Sequence, residues 1–363
     1  MPVHLIINDQ PVEAQEGQTV LEAARASGIA IPSLCYHKDL SPAGSCRMCV
    51  VEVEKMRGQV AACNLTAAEG MVVHTETPSL VETRRTVLSL LLQNYVDGGY
   101  ASTDDHPNEF ERWVRYYDVR PRAGAAPAPR FAAGQDPSPV IWVDLNKCIL
   151  CTRCVRACAE IQGRFVWGVG GRGEQAHIVA GADTSLLEAG CESCGACVAY
   201  CPTGALDNKM SMELGQADRK VTTTCGYCGV GCQLDLNVKD GRIIRVTSNP
   251  NAPVNKMHLC VKGRYGYDYI HHPDRLTAPS VRRYLLEGGE KSSRGPAWDW
   301  VETDWDTAMD ITARKLAAAR DRFGGESVGI FTSAKALNEE NYLMNKLARQ
   351  VLGSHNIDHC ARL

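Results

Sequence analysis

The runs CILCTRCVRAC at residues 148–158 and CESCGACVAYCP at residues 191–202 decide the fold of the middle of this chain. Each run spaces four cysteines as C-x2-C-x2-C-x3-C, so the pair reads as an internal repeat. Four thiolates this close together favour a [4Fe–4S] cubane over a single zinc ion, and in paired runs the fourth cysteine ligates the other cluster. We therefore assign the two cubanes as Cys148, Cys151, Cys154 and Cys201, and as Cys191, Cys194, Cys197 and Cys158.

Eight more cysteines form two further sets, and of the 17 cysteines only Cys360 is left over. The first set is Cys35, Cys46, Cys49 and Cys63, a close pair with one cysteine on either side. This spacing suits a [2Fe–2S] cluster, with zinc as the alternative because zinc also accepts C-x2-C pairs. The last set is Cys225, Cys228, Cys232 and Cys260, which also has the spacing of an iron–sulfur site.

The composition predicts a soluble chain in a reducing compartment. Positive and negative residues are mixed along the 363 residues and the formal net charge is −3, which argues against a nucleic-acid surface. The longest apolar stretch, residues 87–92, is too short to span a bilayer. The sequence opens on a strand-like run without a basic leader. We therefore expect a cytoplasmic protein whose thiols are available to metal.

Hydrophobic periodicity predicts the elements at the start of the chain. Residues 3–8 and 12–14 alternate like the strands of a hairpin, and Thr19 caps a short helix over 20–26. With the later strand-like runs at 50–53 and 72–73, this order predicts a β-grasp domain.

Further along the chain, Thr77 opens a helix that runs to Leu92. Residues 120–139 hold five prolines and six alanines, a composition typical of a linker. The last ninety residues read as a helix from 303 or 304 to 324, a strand at 327–331 and a helix at 338–353. This order is typical of the opening of an α/β domain.

The last cysteine set carries a family resemblance. Cys225-Gly226-Tyr227-Cys228-Gly229-Val230-Gly231-Cys232, closed by Cys260-Val261-Lys262-Gly263-Arg264, resembles the [4Fe–4S] domain of the molybdopterin oxidoreductases. The resemblance implies molybdenum or tungsten on two pyranopterin dinucleotides, with Lys262 placed between cluster and pterin. The alternative for Lys262 is an ordinary surface lysine.

The tail resembles one branch of that family. Asn338-Glu339-Glu340-Asn341-Tyr342, then Lys346, then Asn356-Ile357-Asp358-His359-Cys360-Ala361-Arg362-Leu363 are similar to cytoplasmic formate dehydrogenases. The resemblance implies oxidation of formate to CO2, with the metal-ligating cysteine or selenocysteine directly after Leu363. We therefore expect a truncated chain that is inactive alone, with no catalytic residue and a selenocysteine candidate at the next codon. Cys360 is expected to be a partly buried thiol near the site.

One cluster of the related proteins is not expected here. Its motif starts D-H-P-x-x-C, and this chain has Asp105-His106-Pro107 followed by Phe110 in place of the cysteine. Phenylalanine cannot ligate iron, and no cysteine lies between Cys63 and Cys148. His106 is therefore predicted to be a structural or surface residue.

These readings combine into an α+β multidomain chain. The predicted domains are a β-grasp [2Fe–2S] ferredoxin-like domain at 1–78, a helical segment with a vestigial cluster region and linker at 79–139, a bacterial 2[4Fe–4S] ferredoxin domain at 140–210, a molybdopterin oxidoreductase [4Fe–4S] domain at 218–275, and the start of a truncated pterin-binding α/β domain at 276–363.

The expected cofactors are one [2Fe–2S] cluster, three [4Fe–4S] clusters and the Mo or W bis(molybdopterin guanine dinucleotide) of the full enzyme. The resemblance implies flavin and iron–sulfur NAD-reducing subunits, or a hydrogenase or ferredoxin, as partners. Two alternatives stay open: the large iron–sulfur subunit of complex I, and a hydrogenase-associated electron-transfer module.

Overall fold

The computed structural model describes residues 2–96, 108–120, 128–288, 295 and 298–360. The chain divides into two compact units. The first holds residues 1–221, 236–248 and 257–265, and the second holds residues 222–235, 249–256 and 266–363. Of the sixteen cysteines in the four sets, Cys225, Cys228 and Cys232 belong to the second unit and the others belong to the first.

The first unit begins with one mixed sheet and one helix. These are β1 (Val3–Ile7), β2 (Gln10–Ala14), α1 (Val20–Ala26), β3 (Val50–Val53), β4 (Gln59–Ala61) and β5 (Val72–His74). The strand order is β2-β1-β5-β3-β4, with β1 antiparallel to β2 and parallel to β5. The predicted hairpin, helix and later strands are confirmed, whereas β4 was not predicted.

Alternating burial explains why these residues form this sheet. Leu5 and Ile7 on β1 turn inward with Val12 on β2, while the residues between them face outward. Thr19 and Glu22 form a capping box that starts α1, in which each side chain bonds the other residue's backbone N–H. The buried face of α1 then packs on the sheet.

Two helices follow, α2 (Pro78–Leu92) and α3 (Glu109–Tyr116). As predicted, Thr77 caps α2 and a proline occupies its first turn. Their apolar faces form a second core, whose fully or largely buried members are Leu34, Met48, Leu88, Phe110 and Tyr117. Since Leu34 and Met48 each adjoin a cysteine of the first set, this core supports the first cysteine set from behind.

The middle of the chain is built from short elements around the two cysteine runs. They are β6 (Ile141–Val143), α4 (Arg153–Arg156), β7 (Trp167–Gly170), β8 (His177–Ala180), α5 (Ala196–Tyr200) and β9 (Leu206–Asn208), with a π-helical turn at Ala157–Ile161 and 3-10 turns at Leu145–Lys147, Gly173–Gln175 and Lys209–Ser211. Strand β6 pairs antiparallel with β9, and β7 pairs antiparallel with β8.

After residue 218 come β10 (Arg219–Thr224), β11 (Gln233–Lys239), β12 (Arg242–Ser248) and α6 (Val261–Tyr265), followed by a 3-10 turn at Asp268–His271. The three strands form a sheet in chain order. Among the residues described in the structure, no helix is long and apolar enough to cross a bilayer.

The last part of the second unit contains β13 (Ser280–Arg282), α7 (Arg283–Glu287), β14 (Trp300–Glu302), α8 (Trp305–Phe323), β15 (Ile330–Thr332), α9 (Asn338–Lys346) and β16 (Ile357–His359), with a 3-10 turn at Gly325–Ser327 and a π-helical turn at Leu347–Leu352. Asp304 caps α8, so the helix begins directly after the predicted start at residue 303 or 304. Strand β15 starts at Ile330 and not at residue 327, because residue 327 still belongs to the 3-10 turn. Strands β15 and β16 are parallel and α9 connects them, which is the expected beginning of an α/β domain.

Arg84 on α2 holds the core behind the first cysteine set together. Its guanidinium is fully buried and donates to the carbonyl oxygens of Met48 at 3.2 Å and Val50 at 2.8 Å. It also donates to Tyr117 Oη at 3.1 Å and pairs with Glu76 at 2.8 Å. One side chain thus satisfies two buried carbonyls on the cysteine-bearing loop and strand.

We expect Arg84→Ala to lower the free energy of unfolding by at least about 3 kcal/mol, because each buried polar group left without its donor costs about 1–3 kcal/mol. Arg85→Ala is the matched control, since Arg85 is exposed and loses one bond, from Nε to the Tyr117 carbonyl at 3.0 Å. Urea and thermal unfolding measure the difference, and equal losses in both variants would contradict this role for Arg84.

Candidate iron–sulfur sites

The first cysteine set is gathered on buried loops beside the sheet. Cys35, Cys49 and Cys63 are buried and Cys46 is half-buried. The backbone N–H groups of Leu34 and Cys35 donate to Cys46 Sγ at 3.5 and 3.4 Å. Such N–H donors aimed at sulfur are the supporting bonds that an iron–sulfur site uses.

The sulfurs of this set contact one another. Hydrogen bonds from Cys46 and Cys63 hold the pKa of Cys35 well below its usual range. A bond from Cys63 lowers the pKa of Cys49 to about 7. The same bonds raise the pKa values of the two partners, Cys46 and Cys63. Since iron–sulfur clusters are held by four cysteine sulfurs, a compact quartet whose sulfurs contact one another fits a [2Fe–2S] cluster.

The two middle runs repeat the same backbone geometry. Leu150 and Ser193 have positive φ values of 53° and 55°, and each donates its N–H to the preceding cysteine, Cys148 Sγ at 3.4 Å and Cys191 Sγ at 3.3 Å. Two residues later, Thr152 and Gly195 are again left-handed and start the short helices α4 and α5. The internal repeat seen in the sequence is therefore a structural repeat.

Cys201, the last cysteine of the second run, lies with the first three cysteines of the first run. Cys148, Cys151, Cys154 and Cys201 line a single cavity with mostly apolar walls. Burial, together with the nearby Cys201 sulfur, raises the pKa of Cys148 and Cys151 to about 12. The structure thus brings together the four residues that the sequence assigned to the first cubane.

The second quartet has the reciprocal arrangement. Burial raises the pKa of Cys197, and the sulfurs of Cys194, Cys191 and Cys158 raise it further. Cys158 also accepts a hydrogen bond from the Val166 N–H at 3.3 Å. Since metal binds the thiolate and burial raises the pKa of Cys197, cluster binding at Cys197 has to release a proton.

The last set is divided between the two units. Cys225, Cys228 and Cys232 lie on one loop of the second unit, where the Cys225 N–H donates to the Cys232 carbonyl at 2.7 Å. Cys260 belongs to the first unit and immediately precedes α6. Lys262 on α6 is exposed in the structure.

Helix α6 packs on the second middle run through a buried arginine. Arg264 is 2% exposed, and its Nε donates to the Cys194 carbonyl at 3.1 Å while Nη2 donates to Ser248 Oγ at 2.7 Å. Arg264 follows Cys260 by one helical turn, so it fixes the end of the last set beside the second cubane quartet. The sequence singled out this arginine only as part of the V-K-G-R string.

Two arginines within the first run were not predicted as functional. Arg153 and Arg156 on α4 bond to backbone carbonyls of the loop that holds Cys35, and each leaves a buried Nε without a partner among the described residues. The available sequence signal was two arginines three residues apart on either side of Cys154.

Of the two residues discussed for the cluster that is not expected here, His106 and Phe110, the structure describes only Phe110. His106 lies outside the described residues, with Asp105 and Pro107. Phe110 is fully buried and its ring packs 4.9 Å from that of Tyr95. An apolar core residue therefore stands where the resemblance places a cysteine.

Cys360 corrects one expectation. The prediction of a partly buried thiol is wrong, because Cys360 is exposed directly after β16. Its Sγ lies 3.4 Å from Ser333 Oγ, and this hydrogen bond lowers the pKa of Cys360.

Four family models match the chain in sequence order. A 2Fe-2S iron-sulfur cluster binding domain matches residues 1–78, and the ferredoxin-like domain of NADH-quinone oxidoreductase subunit 3 matches residues 138–207. A molybdopterin oxidoreductase Fe4S4 domain matches residues 218–272, and a molybdopterin oxidoreductase model matches residues 275–363. The four cysteine sets therefore lie within three iron–sulfur domains of known type.

Whole-chain relatives have several different names. An NADH-quinone oxidoreductase subunit of Rhizobium meliloti is 36% identical over 99% of this chain and 40% of its own length. The alpha subunit of the NADPH-Fe(3+) oxidoreductase of Geobacter sulfurreducens is also 36% identical, over the same shares. A Staphylococcus haemolyticus protein named as a candidate formate dehydrogenase is 27% identical over 100% of this chain and 39% of its own length. The chain thus spans about two fifths of these relatives.

A solved structure of an NAD+-reducing [NiFe]-hydrogenase in the H2-reduced state is similar to part of the chain. The identity is 30% and the TM-score 0.52, over 57% of this chain and 87% of the hydrogenase chain. The shared fold extends the similarity to a protein that is named for NAD+ reduction.

Because Arg264 packs against Gly195, we expect a side chain at position 195 to destabilise the protein. Both Gly195 and Gly190 have φ of +71°, but a Cβ at Gly195 would lie 2.3 Å from Arg264 Cδ and 2.4 Å from Tyr265 Oη, whereas at Gly190 nothing lies within 4 Å. Gly190→Ala should cost only the left-handed penalty of about 1–2 kcal/mol. Gly195→Ala should cost about 1–3 kcal/mol more through overpacking.

Thermal unfolding of the reconstituted chain measures this difference, and EPR of the cubanes shows where it acts. Gly195→Ala should change a cubane signal that Gly190→Ala leaves intact. Equal stability and identical spectra in the two variants would show that Arg264 does not press on the Cys194 loop.

Proposed function

Because the chain belongs to the molybdopterin oxidoreductase family, with 2Fe-2S and ferredoxin-like domains ahead of the molybdopterin part, we propose that it is the electron-transfer half of a formate dehydrogenase catalytic subunit. The complete subunit oxidises formate to CO2 at Mo or W, and this part carries the electrons away. The metal and its pterins supply the chemistry, while the protein positions and tunes the groups.

The observation that carries the proposal is the contact between the last cysteine loop and the pterin-domain start. The Gly229 N–H donates to the Ala334 carbonyl at 3.3 Å. A Cβ at Gly229 would lie 2.8 Å from Oδ1 of Asn338, the first residue of the formate-dehydrogenase-like tail. Glycine therefore lets the loop of Cys228 approach the segment that leads to the metal position. This close approach supports transfer of electrons from the metal to the last cysteine set.

The four cysteine sets then define a route. We infer that electrons enter at the set ending in Cys260, pass through the two middle quartets, and leave from the set of Cys35, whose mixed five-stranded sheet with α1 we interpret as a β-grasp domain. Lys262 would lie between cluster and pterin in the complete subunit. The exit side would serve flavin and iron–sulfur NAD-reducing subunits, or a hydrogenase or ferredoxin partner.

A second candidate function is supported by the sequence identities. The two relatives at 36% are named as NADH-quinone and NADPH-Fe(3+) oxidoreductase subunits, and the formate-dehydrogenase-named relative stands at 27%. In this alternative, electrons pass between a pyridine nucleotide and another acceptor, and formate is not a substrate. The formate-like tail favours the first candidate, and the identities favour the second.

The cluster assignment predicts about fourteen irons per chain, from one [2Fe–2S] and three [4Fe–4S] clusters. Anaerobic reconstitution followed by iron and sulfide assay and EPR measures this content. Cys49→Ser should remove the [2Fe–2S] signal alone, and Cys360→Ser should remove none. Zinc in place of iron, or a saturating content near four irons, would contradict the assignment.

The two functions separate in the full-length protein with its pterin cofactor. We expect formate to reduce a viologen dye through it, and NADPH or NADH alone to give no reduction unless the partner subunits are added. Reduction by a pyridine nucleotide in the complete assembly, with no response to formate, would reject formate oxidation and favour the second function.

A further inference from the structure

One nitrogen atom of Arg156 bonds to two cysteine ligands that belong to different cluster sites. Its Nη2 donates to the Cys35 carbonyl at 2.6 Å and to the Cys151 carbonyl at 3.1 Å. Cys35 belongs to the first set, and Cys151 belongs to the cavity-lining quartet with Cys201. The backbones of the two sites are thus joined through a single guanidinium nitrogen.

Neighbouring bonds hold this junction in one geometry. Arg153 donates from Nη2 to the Tyr36 carbonyl at 2.8 Å, and it pairs with both carboxylate oxygens of Glu109 at 2.8 and 3.0 Å. The Ser41 N–H donates to Glu160 Oε2 at 2.8 Å, and Arg156 Nη1 donates to the Ser41 carbonyl. A bidentate arginine–carboxylate pair is geometrically specific, so Glu109 on α3 fixes the orientation of Arg153. Arg153 in turn holds the loop of the first set against α4 through the Tyr36 carbonyl.

Each of the two arginines also has a buried N–H donor that no described residue accepts from. Nε of Arg153 and Nε of Arg156 are buried without an acceptor among the residues described. A buried donor left unpaired costs about 1–3 kcal/mol, so such groups are expected to have a partner in the working protein. Cluster sulfur is an acceptor of the right chemistry, and positive charge beside it favours the reduced cluster.

No cysteine lies between Cys63 and Cys148, so no further cysteine-ligated cluster can be placed between these two sites along the chain. Electron tunnelling weakens steeply with distance, and hydrogen-bonded contacts couple two centres better than an unfilled gap does. The shared nitrogen of Arg156 is therefore a direct hydrogen-bonded connection between the two sites.

We propose that Arg156 is a positioning residue for direct one-electron transfer between the [4Fe–4S] cluster of Cys148, Cys151, Cys154 and Cys201 and the [2Fe–2S] cluster of the first set. The reduced cubane loses one electron, the oxidised [2Fe–2S] cluster gains it, and no bond is broken and no proton moves. The inference rests on the cluster content of the proposed function, and it holds whether formate or a pyridine nucleotide supplies the electrons.

The test uses the anaerobically reconstituted chain and its Arg156→Gln and Arg156→Lys variants. Pulse radiolysis delivers less than one electron per chain from a viologen radical, and absorbance follows the later redistribution between cubane and [2Fe–2S]. We expect Arg156→Gln to slow that phase roughly 10- to 100-fold, the usual range for losing a partner of a metal ligand. It should also lower the EPR-determined midpoint potential of the [2Fe–2S] cluster, because a cation has been removed.

Arg156→Lys should fall between the wild type and Arg156→Gln, since lysine keeps the charge but not the planar fork. Arg164→Gln is the matched control. Arg164 is exposed beside the other run, with Nη1 3.3 Å from Glu192, and forms no bond to the first set in the described residues. The control should leave both the rate and the potential unchanged.

The possible results distinguish failure of the cluster assignment from failure of the role proposed for Arg156. If the wild-type chain lacks a [2Fe–2S] signal, the cluster assignment fails. If both clusters form and Arg156→Gln transfers electrons at the wild-type rate and potential, the role of Arg156 is rejected. If Arg156→Gln loses its clusters, Arg156→Lys decides, and an unchanged rate and potential in that variant likewise reject the role.

Discussion

The packing of the first unit depends on hydrogen bonds from buried guanidinium groups to backbone carbonyls. The elements that carry cysteines are short, and α4 and α5 are only four and five residues long, too short to be stable by themselves. Arg84, Arg153 and Arg264 each reach from one element to a carbonyl of a cysteine-bearing segment on another. Arginine suits this task because its planar fork presents several donors and stays charged when buried.

The exchange of cysteines between the two middle runs adds a second constraint. Cys201 lines the cavity of the first run, and the Cys158 sulfur influences the pKa of Cys197 in the second. In our assignment each quartet therefore takes its last cysteine from the other run. The folding of each half of this domain around its cluster therefore depends on the other half. The apolar core around Phe110 has a different role, because it fills with packed side chains a region where the resemblance places another cluster.

Much of this architecture could be predicted from the sequence, because its signals are local. The capping box at Thr19 and the proline after Thr77 each lie within a few residues and led to the observed helices. The repeated spacing of the two middle runs led to the four cysteines that line one cavity. The roles of Arg156 and Arg264 could not be predicted, since their partners lie 121 and 70 residues away. The predicted partial burial of Cys360 is wrong, because a position near a functional motif does not determine whether a side chain is buried. The five domain ranges stay predictions.

The crowding at Gly195 has a consequence for how this sequence can change over evolutionary time. No side chain fits at position 195 while Arg264 and Tyr265 occupy the space above it, so the three positions cannot vary independently. A lineage that replaced Arg264 by a small residue would free position 195 to accept alanine or serine, and the reverse change would require glycine to return first. Sequences of this family should therefore show coupled substitution at these sites, a record of contact between α6 and the second cysteine run.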